Sequence, residues 1–108
     1  MKLNIYEKKK VVKTYEADQY NLLFGVMEDV ARVIKLDELK TGEDAEIIKL
    51  VGGAVLNSLD TVKGLMMDIF DGLTEEELRG ASVKEIAMVL VDVVKYTIST
   101  LAKYTPKN

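Results

Sequence analysis

FDGLTEEELRGASVKEIAMVLVDVVKYTISTLAKY, residues Phe70 to Tyr104, reads as a turn, a very short acidic helix, a second turn and one long helix. Thr74-Glu75-Glu76-Glu77 has the form of a capping box. In such a box the Thr hydroxyl accepts from the N3 amide while the N3 Glu reaches back to the N-cap amide. Ser82-Val83-Lys84-Glu85 repeats the pattern eight residues later. Two start signals this close set a sharp corner ahead of the last helix, and each N-cap stabilises its helix by about 1 kcal/mol. On a helical wheel the last helix, 83–103, has a polar strip of only Glu85, Asp92, Lys95, Ser99 and Lys103. Its apolar arc covers about 240°, where a surface helix usually shows about 100°. Either the rest of the domain surrounds this helix, or part of the arc meets another protein. In the second case the candidate partner-binding residues are Val83, Ala87, Val91, Ile98 and Ala102 on its outer flank.

Towards the N-terminus, Ile47, Val51, Ala54, Val55, Val62, Leu65, Met66 and Ile69 hold one phase at about 100° per residue. That continuity predicts a single helix over 44–70, kinked or closely crossed at Gly52-Gly53, with Thr41-Gly42-Glu43-Asp44 as its start signal and Asp71-Gly72 as its stop. Tyr20, Leu23, Phe24, Met27, Val30, Ala31 and Ile34 predict an earlier helix over 18–36 with Asp18 as N-cap. Residues 2–17 favour strand, with Glu7–Lys10 as the turn of a hairpin. Leu3, Ile5, Val12 and Thr14 are expected on its inner side. A lone hairpin is marginal, so it must lie on the helices or pair with another chain. The predicted fold is therefore α+β and mostly α: an N-terminal β-hairpin, three main helices and one short helix at 75–79, in a single domain over 1–104 with a loose tail at 105–108.

Composition narrows the chemistry. The chain has 108 residues with no Cys and no His. Disulfides and thiolate metal sites are excluded, as are the commonest general base and metal ligand. The net charge of −3 provides no domain-wide positive field for nucleic acid. Lys8-Lys9-Lys10 reads as a solvated turn. The opening MKLNIYEKKK lacks the apolar core of a signal peptide, and Asp92 and Lys95 interrupt the longest C-terminal apolar run. The expectation is a cytoplasmic protein without a membrane span.

No motif supplies a reactive centre. Placing Gly72 at the sixth position of a calcium loop puts Met67, Ile69 and Leu78 where oxygen ligands belong. Gly52-Gly53 lacks the Lys-Ser/Thr of a phosphate loop. Glu75, Glu76 and Glu77 complement a helix dipole. Met66-Met67, with Met27 and Met88, either fills a core or forms an adaptable binding surface. No catalytic, cofactor-binding or metal-binding residue is assigned, and the chain is expected not to be an enzyme.

The layout resembles the tail assembly chaperones of long-tailed bacteriophages and prophages. The resemblance spans most of the chain. It runs from the opening Met1-Lys2-Leu3-Asn4-Ile5, through Val26-Met27-Glu28-Asp29 and Ile69-Phe70-Asp71-Gly72-Leu73-Thr74 with Glu76-Glu77-Leu78, to a final apolar helix that opens at Glu85-Ile86 and contains Tyr96 and Leu101. It implies a non-enzymatic protein of the bacterial host cytoplasm. Such a protein binds the helical tape-measure protein, keeps it soluble during tail assembly, self-associates, and can occur in a longer form made by translational frameshifting. It carries no catalytic residues to this chain. The pattern departs in lacking an aromatic-rich groove. A structural tail or connector subunit, or a bacterial helical adaptor, is the alternative.

Overall fold

The computed structural model describes residues 1–18 and 21–104, and of Asp37 and 101–104 the backbone alone. Tyr20, assigned above to the first helical stripe, and the tail 105–108 lie outside the described residues. Strands β1 (Lys2–Glu7) and β2 (Lys10–Glu16) form an antiparallel hairpin. Helices α1 (Phe24–Ile34), α2 (Asp44–Asn57), α3 (Leu59–Ile69), α4 (Glu75–Leu78) and α5 (Val83–Tyr104) follow, with one 3-10 turn at Leu36–Glu38.

The hairpin turns on Lys8 and Lys9, both left-handed with φ of 52° and 68°. That geometry suits the right-handed twist of the strands but ordinarily selects Asn-Gly. The register then pairs Leu3 with Tyr15, Ile5 with Lys13 and Tyr6 with Val11, which leaves Val12 as the extra residue of a bulge. The inner face is therefore Leu3, Ile5 and Tyr15, all buried. Val12 and Thr14, expected inside, are exposed. A one-residue shift moves every side chain of a strand to the other face.

Helix α1 begins six residues later than expected. Asp18 is not its N-cap. Its carbonyl accepts from Asn21 N–H in a preceding turn, and Leu23 occupies the cap position with no side-chain bond. Val26, Val30 and Ile34 form the buried stripe, one turn apart. The helix ends on left-handed Lys35, whose N–H returns to the Ala31 carbonyl.

The predicted single helix over 44–70 is two. The chain leaves helical geometry at Ser58, with φ −140° and ψ 47°. Asn57 and Ser58 are residues whose short polar side chains compete with helical backbone bonds. The glycines are not the break. Gly52 and Gly53 lie within α2, and a Cβ at either would meet nothing within 4 Å, so no neighbour crosses closely there. Thr41 is not the cap either. Glu46 turns back, and its carboxylate accepts the N–H groups of Lys40, Thr41 and Gly42 at 3.0–3.1 Å.

The wide arc of α5 is explained by its neighbours. It packs on α2, α1 and β1, burying Val89, Leu90, Val93 and Val94 completely or nearly so. Buried Thr97 satisfies its hydroxyl on the Val93 carbonyl at 2.8 Å. Phe70, Met66 and Leu65 from the end of α3 complete the centre of the core. Phe70 meets the Tyr15 ring edge-on at 6.5 Å between centroids. Met66 is thus core, whereas Met88 is exposed.

Candidate functional site

Two carboxylates around α4, those of Glu77 and Glu85, are committed to the scaffold. Thr74 and Glu77 form the predicted capping box. Glu77 Oε1 also lies 2.5 Å from the Tyr15 hydroxyl, and Oε2 lies 3.1 Å from Lys13 Nζ. These partners, the Tyr15 hydroxyl foremost, lower the Glu77 carboxyl to about 2. Glu85, expected to close the second capping box, directs its oxygens to the hairpin. One accepts the Asn4 N–H at 3.0 Å and the other the Tyr6 hydroxyl. That bond raises the Tyr6 phenol above its ordinary value. Tyr6 N–H donates to the Gly80 carbonyl at 2.8 Å, and Ile5 bridges to Ala81. The outer edge of β1 is closed by the corner ahead of α5. Glu46 is likewise engaged, and its three backbone donors lower it to about 2. Among the described residues no cluster of three or more acidic side chains is placed to hold a metal ion. No helix among the described residues is long and apolar enough to cross a membrane.

The surface is open elsewhere. Ile48, Leu56, Leu59 and Val83 are 57%, 79%, 59% and 67% exposed. Ile48, Gly52 and Leu56 follow one another at four-residue spacing and share a face of α2. Leu59 begins α3 just beyond the break at Ser58. Helices α2 and α5 run antiparallel, with Asp44 and Lys95 paired at 2.9 Å at one end. At the other end a notch of about 230 Å³ opens between α3, α4 and α5. Val55, Val62, Leu78 and Ile86 line its depth, and Leu59 and Val83 stand exposed at its mouth. A second cleft, of about 640 Å³, separates the end of α1 from α2 and has Lys35, Glu38, Lys49 and Asn57 among its lining groups.

Of the partner-binding residues expected from sequence, Val83 stands at the notch. Ala87, Val91 and Ile98 are half-buried and packed against the core. The side chain of Ala102 lies outside the described residues. Ile48, Leu56 and Leu59, large apolar residues off the buried stripe of α2 and α3, are exposed as well and were not among the residues expected from sequence.

No family model matches the chain, and neither a curated protein nor a solved structure is detectably similar to it.

Proposed function

We propose that this chain is a non-enzymatic binding protein for helical clients: a phage tail assembly chaperone that holds the tape-measure protein soluble in the bacterial cytoplasm and associates with itself. What supports the reading is one observation: Leu59 and Val83 are exposed at the mouth of an apolar notch, with exposed Leu56 close to Leu59, while Glu77 and Glu85 of the neighbouring corner are engaged by the scaffold. Exposed apolar side chains gathered beside a groove between helices suit the docking of an amphipathic helix.

The test is to sequence the DNA that follows the gene for a long, helix-rich reading frame and to co-express its product with this chain. A chaperone moves that product into the soluble fraction and co-purifies with it, and Leu59→Asp releases it. A client that stays insoluble overturns the reading. Recovery of the chain from purified virions also overturns it, in favour of a structural tail subunit.

A further inference from the structure

We propose that the notch between α3, α4 and α5 takes one large apolar side chain of an amphipathic helix from another protein, with acidic side chains of that helix beside it facing Arg79 and Lys84. The inference rests on the reading of this surface as a docking site and adds the chemistry of its occupant.

The volume of about 230 Å³ suits a single leucine or phenylalanine side chain. Its lining of Val55, Val62, Leu78 and Ile86 offers such a group no polar partner. Leu56, across the break at Ser58 and close to Leu59, extends the apolar contact beyond the mouth, which suits a helix presenting anchors at successive turns.

Charge at the rim is uneven in availability. The two acids, Asp60 and Glu75, are both engaged by Lys63, at 3.9 and 3.2 Å. Arg79 lines the notch and Lys84 follows Val83 in sequence; both are exposed, and neither is in an ion pair among the described residues. Lys63, Arg79 and Lys84 together outnumber Asp60 and Glu75 by one charge, so the complementary partner is acidic beside its anchor. A second copy of this chain is the rival occupant, since a two-fold pairing sets the same patch against itself.

The test uses the full chain and two labelled helical peptides of about 18 residues, long enough to hold some helix in water. Both carry the same leucine stripe, flanked in one by Glu and in the other by Lys. Fluorescence anisotropy should show the Glu peptide binding at least about tenfold more tightly, an advantage that shrinks as salt is raised. Arg79→Glu with Lys84→Glu should reverse the preference. Val83→Asp should abolish binding of the Glu peptide with the circular dichroism unchanged. Equal binding of the two peptides overturns the charge recognition while leaving the docking reading intact. Binding that survives both Val83→Asp and Leu59→Asp overturns the site and the docking reading together. If neither peptide binds, the proposed occupant is wrong, and co-expression with the client decides the wider reading separately. A concentration-dependent dimer that Val83→Asp converts to monomer assigns the notch to a second copy and overturns the proposal.

Discussion

Two corners of the chain are built in opposite ways. At Phe70–Ser82 the polar groups close on one another: Thr74 caps α4, Glu77 gathers Tyr15 and Lys13, and Gly80 meets β1. At Asn57–Leu59 the helix breaks without any side-chain cap, and two leucines face outward beside the break. Both corners reverse or redirect the chain, so turning alone does not account for the difference. The first corner spends its chemistry on holding the hairpin to the helices. The second leaves apolar surface unspent, which is the arrangement expected of a contact made with another molecule.

The contrast can be broken by substitution at either corner. The largest effect is expected at Phe70, which is fully buried against Tyr15. Phe70→Ala should cost about 3–5 kcal/mol in urea unfolding, because it leaves a cavity where hairpin and helices meet. Gly80→Ala comes next. A Cβ there would lie 2.8 Å from the Tyr6 carbonyl oxygen, a backbone atom that cannot rotate away. A loss of about 1–3 kcal/mol is expected, with increased hydrogen exchange at Tyr6 reporting that the hairpin has lifted. Thr74→Ala should cost about 1 kcal/mol.

Acid provides a finer probe of the first corner. Glu77 and Glu46 are held at about 2 in the folded chain, below the ordinary carboxylate value of 4.5. As pH falls, the unfolded chain takes up these protons first. The stability they contribute is complete above about pH 5 and drains away towards pH 2. Glu77→Gln should flatten that decline in part, with Glu46 accounting for a remainder. A pH profile identical to that of the unmodified chain would show that the Tyr15 and Lys13 contacts do not hold the carboxylate. The smallest effect on stability belongs to the second corner. Leu56→Ser and Leu59→Asp should each shift unfolding by no more than about 0.5 kcal/mol, since both side chains already face solvent, yet Leu59→Asp should release the client. A large loss of stability there would make these leucines part of the fold and dissolve the contrast.

Legibility in the sequence followed the same division. The hairpin, the first capping box and the long last helix could be read because each rests on a local signal: paired β-formers, a Thr with Glu three residues on, and an uninterrupted apolar arc. The phase of β2 could not, since the bulge at Val12 is an outcome of pairing and has no marker in β2 itself. The break at Ser58 was hidden because a single non-helical residue barely disturbs the apolar period, so Val55 and Val62 still face the core. Glu85 was read as a local cap because its spacing from Ser82 fits one. Its actual partners, Asn4 and Tyr6, stand at the far end of the chain. Of the flank expected on α5, Val83 is exposed, while Ala87, Val91 and Ile98 are half-buried because α2, α1 and β1 gather around the helix.

The bond from Asn4 N–H to Glu85 spans 81 residues of chain. It has a consequence in time. The hairpin is made before the helices, yet the groups that close its edge are supplied by Gly80, Ala81 and Glu85. At synthesis rates of about 5–20 residues per second, the stretch from Glu16 to Glu85 takes roughly 3–14 s to make, and the hairpin waits that long for its partners. Throughout that interval the edge of β1 is open, and Leu3 and Ile5 have no core to enter. The newborn chain therefore carries two unsatisfied surfaces in succession: a strand edge that the protein itself later covers, and the leucines beside Ser58, which it leaves uncovered.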